Sequence, residues 1–243
     1  MTPAARAQAA LSILDDWLSE KAQLHRKLAA WGRRNRYAGS KDRHAIADLV
    51  WDAVRCKRSA LWCANATEER ATGRDLIRGR LISRGNDPSK IFTGVQDASA
   101  VLTAQEQRSR DLGVAPRAVR LDYPDWLDPH LADVPDTELD LLRDRAPLYL
   151  RVNALKATRA KATESLEQDR IETAPAPLAP LALRVTTGER RVRQSAAYLN
   201  GLVEIQDSAS QAIVAMAPCT PGTTVVDLCC GGGGKTLAGF LPT

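Results

Sequence analysis

The chain has 243 residues of ordinary globular composition, 44% hydrophobic and 26% charged, which suits one large domain or two to three small ones. No apolar run approaches the roughly 18 residues needed to cross a bilayer. Acids interrupt the N-terminal segment where a signal peptide is apolar, so we expect a cytoplasmic protein. Residues 1–60 hold twelve Lys/Arg against six Asp/Glu, which favours a polyanionic partner, nucleic acid first, with a solvated helical surface as the alternative.

The cysteines do not indicate a metal site. None of the five shows paired zinc-ligand spacing, and the three histidines are scattered. An odd number of cysteines in a chain of this kind favours free thiols over disulfides. We therefore expect no structural metal. The cysteines are Cys56, Cys63, Cys219, Cys229 and Cys230.

Helical periodicity dominates the first 120 residues. Apolar residues recur at helical spacing from residue 7 to residue 31, in one long helix or two short ones, and again from residue 46 to residue 62. Further helices are predicted near Arg74–Ser83 and Thr103–Leu112. This region is predicted to be a helical domain.

A basic stretch, GRRNRYAGSKDR (residues 32–43), separates two of these helices. Its cations could contact phosphates while Tyr37 or Trp31 stacks on a base, which makes nucleic-acid contact a slightly better interpretation than plain surface. The candidate RNA-contacting cations are Arg33, Arg34, Arg36, Lys41 and Arg43.

The pattern changes after an acidic, proline-containing segment. Residues 121–145 hold eight acids and three prolines and are predicted to be a linker with a short helix near Thr137–Asp144. Strands are then predicted at 147–152, 181–185 and 201–205, with a helix at 158–168 and a Pro/Ala loop at 172–180. Such an order suggests a small α+β domain.

The last segment carries the most specific pattern. A helix is predicted from Ser208 to before Pro218, with Ser208 and Gln211 at capping-box spacing. Val225–Leu228 has the composition of a short buried strand, four glycines follow, and Lys235 opens a helix. Glycines at such a turn allow positive φ and close ligand approach, and free N–H groups at the helix start favour an anion.

Two known phosphate loops do not fit this turn. A P-loop requires glycine where Cys229 stands, and the dinucleotide fingerprint requires glycine where Thr236 stands. The remaining pattern, Asp227, Gly231 and Gly233, is similar to the first motif of S-adenosylmethionine-dependent methyltransferases. A tight structural turn is the alternative.

Three motifs together resemble the bacterial Sun-type (Fmu/NOP/Sun) family of RNA cytosine-carbon-5 methyltransferases. They are Arg151-Val152-Asn153, the octapeptide at 204–211, and Asp227-Leu228-Cys229 with the glycine run and Lys235-Thr236. The segment at 39–55 resembles the family's NusB-like domain. The resemblance implies a multidomain α and α+β protein: a NusB-like RNA-binding domain at 1–120, the linker, an RRM-like domain at 146–205, and the start of a Rossmann-like domain at 206–243. It adds Arg151 and Asn153 to the RNA-contacting candidates.

The resemblance also implies the cofactor, S-adenosyl-L-methionine, and the residues that bind it. Cys230 stands where the family usually has Ala, and Gly232 where it has Ala or Pro; neither change abolishes the loop. The cofactor-binding residues implied are Cys229, Cys230, Gly231, Gly232, Gly233, Gly234 and Lys235.

The family's catalytic cysteine motifs, Pro-Cys and Thr-Cys, follow the glycine loop by several strands, and neither stands there in this sequence. Pro218-Cys219-Thr220 precedes the loop and carries little weight, so we name no catalytic residue. We expect a truncated or frame-shifted product, or a fragment.

Three functions therefore compete. The first is a methyltransferase acting on structured RNA, ribosomal RNA first. The second is a non-catalytic RNA-binding fragment of that family, which is what we expect of this polypeptide alone. The third, a P-loop hydrolase, is disfavoured by Cys229.

Overall fold

A computed structural model describes residues 1–20, 23–95, 97–217 and 222–239. They form two compact units, Met1–Arg145 and Ala146–Thr243, each described by itself below. In the described parts of the chain, no helix is both long enough and apolar enough to pass through a membrane.

The first unit is helical. Its buried core includes Leu14, Ile46, Val50 and Leu76 from three different helices, as the apolar spacing of the sequence predicts. Of the two alternatives for the first helical stretch, one long helix or two short ones, the structure has two helices. The helix expected from residue 40 onward ends at Arg55, and a new one begins at Lys57. The described residues of this unit form α1 Pro3–Glu20, α2 Leu24–Arg34, α3 Ser40–Arg55, α4 Lys57–Cys63, α5 Gly73–Ser83, α6 Arg117–Arg120 and α7 Asp136–Leu141.

Helices α4 and α5 approach each other closely at Gly79. A Cβ atom at this position would lie 1.8 Å from the Ala60 carbonyl oxygen, well inside van der Waals contact. Only glycine therefore allows this backbone approach.

The helix predicted at Thr103–Leu112 is wrong. Residues 104–107 form turns, and only a 3₁₀ turn at Leu112–Val114 follows. Side-chain bonds replace the helix: Arg78 Nη1 donates to the Glu106 carbonyl at 2.6 Å, and the Thr103 N–H donates to the Glu106 carboxylate at 2.8 Å. Local side-chain bonds of this kind compete with helical ones.

Residues 121–145, expected as a linker, pack on the helical unit instead. The Asp122 carboxylate accepts from the Ser59 N–H at 2.8 Å and from Arg143 Nε at 2.9 Å. Arg58 Nη2 lies 2.7 Å from the Asp125 carboxylate. These acidic residues are thus bound to groups of the same unit, which is why the segment does not behave as a free connector.

The second unit is built on a four-stranded antiparallel sheet with the order β2-β3-β1-β4. Leu150 and Val152 of β1 are fully buried in a core shared with α8 and α9, as their strand pattern predicts. The element order β-α-β-β-α-β and this strand order are those of a ferredoxin-like fold. Its elements are β1 Tyr149–Val152, α8 Arg159–Gln168, β2 Glu172–Pro175, β3 Ala182–Thr187, α9 Ala196–Leu199 and β4 Val203–Ile205.

The loop predicted at 172–180 is wrong over its first four residues, which form strand β2. Glu172 to Pro175 pair with β3, with an irregularity between Glu172 and Thr173. Pro175 stands at the end of an edge strand, where the missing N–H costs no ladder hydrogen bond.

Helix α10 (Ser208–Ala215) follows the sheet, and its N-cap differs from the prediction. Asp207, one residue earlier than the predicted cap Ser208, accepts from the N–H groups of Ala209 and Ser210. The Gln211 amide donates to the Leu150 carbonyl at 3.3 Å, which ties α10 to β1.

The strand predicted at Val225–Leu228 is wrong for this structure. These residues lie outside any strand, and Val226 and Leu228 are 74% and 91% exposed. A six-residue helix, α11 (Gly234–Gly239), follows. The Rossmann-like domain therefore stays a prediction.

Candidate cofactor loop and RNA-contact surface

A tight turn between α2 and α3 presents the predicted basic residues. Asn35 caps α2 by donating from its backbone and side-chain nitrogens to the Trp31 carbonyl, both at 2.9 Å. The Ala38 N–H donates to the Asn35 carbonyl at 3.1 Å, and Ala38 itself is fully buried. Three hydrogen bonds and a buried anchor therefore fix this turn.

Four cations and one aromatic ring project from this turn and from the helix ends beside it. We call this surface the basic corner. None of its cations forms an ion pair within the described residues. Its exposed members are Arg33, Arg34, Arg36, Tyr37 and Lys41.

The acid nearest in sequence does not neutralise the basic corner. Asp42 accepts from Arg6 Nε at 2.8 Å and from the N-terminal ammonium group of Met1 at 3.2 Å. The Arg6 guanidinium holds the pKa of Asp42 below its ordinary value. Because this carboxylate is bound on the α1 side, the charge of the basic corner remains available to a ligand.

Arg43, also predicted to contact RNA, is exposed and braces the turn through one of its nitrogens. Its Nε donates to the Ala38 carbonyl at 2.7 Å. Its Cδ lies 3.8 Å from the place where a Cβ of Gly32 would stand, so the side chain runs along the end of α2. The structure gives this residue a positioning role.

Arg151 and Asn153 lie in the ferredoxin-like unit and have structural partners. Arg151 is 3% exposed and its Nη2 lies 2.5 Å from the carboxylate of Glu204, its cross-strand neighbour on β4. The Asn153 side chain donates to the Gly201 carbonyl at 3.1 Å and accepts from the Leu155 N–H at 3.2 Å. Neither side chain is presented as a free contact for RNA in this structure.

The predicted cofactor loop forms a compact turn ahead of α11. The Gly233 N–H donates to the Cys230 carbonyl at 2.7 Å, and Gly231 and Gly233 have φ angles of 51° and 79°. These positive φ angles are the conformation that the glycine pattern predicts. A Cβ at Gly231 or Gly233 would meet no atom within 4 Å, so the backbone of the loop is open to close approach.

Asp227, the acid of the motif, closes the loop from the other side. One carboxylate oxygen accepts from the Thr236 hydroxyl at 2.6 Å, and the other accepts from the Cys229 N–H at 3.2 Å. Thr236 belongs to the motif but not to the predicted cofactor-binding residues. The same holds for Gln206, whose amide nitrogen lies 3.6 Å from a Cβ placed at Gly234. Gln206 stands in the octapeptide at 204–211, which is the signal that could have linked it to the loop.

The loop thiols differ from those of the helical unit. Cys229 and Cys230 are exposed, whereas Cys56 and Cys63 are buried. Burial raises the pKa of the Cys56 and Cys63 thiols and leaves them inert as packing groups. Cys219 lies outside the described residues. Among the residues that are described, no group of three His, Cys, Asp or Glu side chains is arranged to hold a metal ion.

Comparisons with known proteins agree with this architecture. A family model described as Methyltr_RsmF/B-like, ferredoxin-like domain, matches residues 133–192. Ribosomal RNA small subunit methyltransferase B of Yersinia enterocolitica is 33% identical over 224 residues, covering 81% of this chain and 52% of the relative. The protein of the same description from Yersinia pestis is 26% identical with the same coverage. The chain thus spans about half the length of the curated relatives it matches.

A solved structure supports the fold. The crystal structure of PH0851 superposes with a TM-score of 0.63 over 98% of this chain and 61% of that one, at 18% identity. The fold and the family model agree on a ferredoxin-like domain, and the chain is similar to the N-terminal portion of proteins described as ribosomal RNA methyltransferases. The family model and these relatives support the Sun-type (Fmu/NOP/Sun) family for this portion, as the motifs indicate.

Proposed function

We propose that the protein functions in S-adenosylmethionine-dependent methylation of cytosine carbon-5 in ribosomal RNA, in the cytoplasm. The chain contributes a NusB-like RNA-binding unit, an RRM-like unit and the cofactor loop of a Rossmann-like domain. One observation carries the proposal: an Asp-Gly-Gly loop with two positive-φ glycines, in a chain whose relatives are named as ribosomal RNA methyltransferases.

The loop residues fit the cofactor that this proposal requires. Gly231 and Gly233 leave the backbone unshielded, and the open positions around them would accept the methionine end of S-adenosylmethionine. Residues Cys229 to Lys235 would hold this end, and Asp227 with Thr236 would fix the shape of the loop. When bound, the cofactor supplies the methyl group.

A second candidate is RNA binding without catalysis by this polypeptide alone. The observation that favours it is that residues 225–228 are exposed or half-buried and lie outside any strand. Among the described residues, the strand that normally precedes such a loop is therefore not formed. The basic corner needs no such support, because its turn is closed by its own hydrogen bonds.

Two titrations of the same purified chain test both candidates. A fluorescein-labelled stem-loop RNA is titrated at salt concentrations between about 50 and 200 mM, and S-adenosylmethionine is titrated by calorimetry. We expect RNA affinity to fall steeply, with a log–log slope of roughly −0.7 to −0.9 for each phosphate neutralised. Saturable cofactor binding supports the first candidate, and salt-dependent RNA binding without it supports the second.

A charge variant identifies the surface responsible. Replacing Arg33, Arg34 and Arg36 with Gln is expected to reduce the slope by about one for each phosphate that the variant no longer neutralises. The matched control replaces three exposed cations elsewhere on the helical unit, Arg70, Lys90 and Arg108, with Gln. An RNA affinity that does not depend on salt, or that responds equally to both variants, contradicts the assignment of the basic corner.

A further inference from the structure

The basic corner contains an aromatic side chain that the fold does not use. Tyr37 is 73% exposed, although it stands beside Ala38, which is fully buried. Trp31, the other candidate for stacking, packs against the core of the helical unit and is only partly exposed. Between the two aromatic residues that the sequence offers, the structure selects Tyr37.

The backbone of the turn that carries Tyr37 is held by hydrogen bonds before any ligand arrives. The Asn35, Ala38 and Arg43 bonds described above join the end of α2, the turn and α3. A preorganised contact loses little conformational entropy when it binds, so more of its interaction energy contributes to affinity. A large exposed ring on a fixed turn is therefore suited to a stacking contact.

The cations that precede and follow Tyr37 in the chain indicate the kind of ligand that would stack on its ring. Arg36 is adjacent to Tyr37 in the chain, Arg33 and Arg34 end α2, and Lys41 lies in the first turn of α3. An exposed ring with exposed cations before and after it in the chain suits a nucleobase whose own phosphates lie on either side. Bases inside a duplex are covered above and below by their neighbours, so only an unpaired base can offer its face.

We propose that Tyr37 stacks on an unpaired nucleotide of the RNA, so that the helical unit selects loops, bulges or single-stranded ends over continuous duplex. The inference rests on the proposed RNA binding and adds the substrate class to it. The four cations supply affinity that does not depend on base pairing, and the ring supplies the preference for unpaired bases.

The test compares Tyr37→Ala with Tyr37→Phe on two RNAs. The probes are a stem-loop RNA with 2-aminopurine in its loop and a fully paired duplex RNA without a loop, measured by fluorescence in the same buffer. We expect Tyr37→Ala to lower affinity for the stem-loop roughly tenfold or more, since it removes the stacking of one base, and to leave duplex affinity unchanged. Tyr37→Phe keeps the ring and is expected to bind like the unchanged chain.

The matched control is Trp126→Ala. Trp126 is a large aromatic residue of similar exposure, 69%, but Asp125 and Asp128 lie close to it in the chain. The variant is expected to leave RNA affinity unchanged, while circular dichroism confirms that all variants are folded.

The outcomes separate this inference from the proposed function. If the unchanged chain binds the stem-loop in a salt-dependent manner and Tyr37→Ala binds equally well, the stacking contact is refuted and RNA binding stands. An equal loss on stem-loop and duplex also refutes it, because the ring would not then distinguish unpaired bases. If polyglutamate displaces the RNA at equal charge concentration, the surface binds polyanions without base recognition. If the unchanged chain binds neither RNA, the proposed function fails as well.

Discussion

Two segments of similar composition adopt different structures in this protein. Tyr149–Val152 and Val225–Leu228 are both short, rich in β-branched or large apolar residues, and both are predicted to be strands. The first becomes the central strand β1, with β3 on one side and β4 on the other. The second lies outside any strand, and most of its apolar surface is exposed.

The difference shows that strand propensity is realised only where partners exist. Leu150 lies opposite Leu183 on β3 and Ile205 on β4, so its strand has backbone partners at both edges and is buried by α8. β-propensity measures how well side chains fit a paired, half-buried surface rather than an intrinsic backbone preference. Val226 and Leu228 have no such surface among the described residues.

The largest expected effect comes from truncating one leucine in each segment. Leu150→Ala leaves a cavity in the core and is expected to lower the free energy of unfolding of the ferredoxin-like unit by about 2–5 kcal/mol. Leu228→Ala removes a side chain that is 91% exposed and is expected to change it by less than about 0.5 kcal/mol. Hydrogen exchange of peptides from β1 to β4 measures both.

Similar losses of stability in Leu150→Ala and Leu228→Ala would contradict the difference between the two segments. In that case Leu228 would be buried in solution, and residues 225–228 would have found a packing partner. A further pair, Leu183→Ala as a second buried position and Val226→Ala as a second exposed one, checks that the contrast belongs to the segments rather than to single residues.

A smaller effect is expected when glycines from the packed and the open region are compared. Gly188 has a φ of 83°, and a Cβ there would lie 2.6 Å from the Arg170 carbonyl oxygen. Gly188→Ala combines a strained backbone with this clash and is expected to cost about 1–3 kcal/mol, seen as loss of amide protection in β2 and β3. At Gly232 a Cβ would meet nothing within 4 Å, so Gly232→Ala is the control and should be close to neutral. Equal costs would mean that the loop at 231–234 is packed against something in solution.

The sequence predicts elements whose signal is local and misses those that depend on a partner elsewhere in the chain. The helices at Leu24–Arg34, Gly73–Ser83 and Arg159–Gln168 follow from local periodicity, and β1, β3 and β4 from alternation and β-branched content. β2 was missed because its Ala and Pro residues carry no strand signal; its pairing with β3 determines it. Strand β2 is therefore determined by tertiary contact and not by local propensity.

The candidate site divides in a similar way. The charge of Arg33, Arg34 and Arg36 and the glycine pattern at Gly231 and Gly233 could be predicted from the sequence, because they depend on residue type and spacing. The bracing role of Arg43 and the ion pair between Arg151 and Glu204 could not, because each depends on what lies opposite in space. An arginine in a basic or motif segment gives no local sign of whether its partner is a phosphate or the protein.

The smallest expected effect on stability concerns residues 100–106, a segment without regular secondary structure that is bound to α5. Arg74 bridges to residues 100–106: its Nη2 donates to the Ala100 carbonyl at 3.0 Å and to the Glu106 carboxylate at 3.1 Å. The Arg74 guanidinium lowers the pKa of Glu106 from 4.5 to about 2. By contrast, the partners of the Asp227 carboxylate in residues 222–239 are the Cys229 N–H and the Thr236 hydroxyl rather than a cation.

This pair makes a pH-dependent prediction. The charged form of Glu106 is favoured by folding, so its stabilisation is fully present above a pH of about 4.5 and is lost as the pH falls through about 2. Glu106→Gln is therefore expected to lower the free energy of unfolding by no more than about 1 kcal/mol near neutral pH, and the difference from the unchanged chain should shrink below a pH of about 4.5.

All five tryptophans lie in Met1–Arg145, so tryptophan fluorescence in urea reports on this unit. Glu68→Gln is the control, because Glu68 is 69% exposed beside Lys57 and its replacement should have a smaller effect. A Glu106→Gln difference that stays constant from neutral pH to a pH of about 2 would show that the Glu106 side chain contributes through packing rather than through its charge.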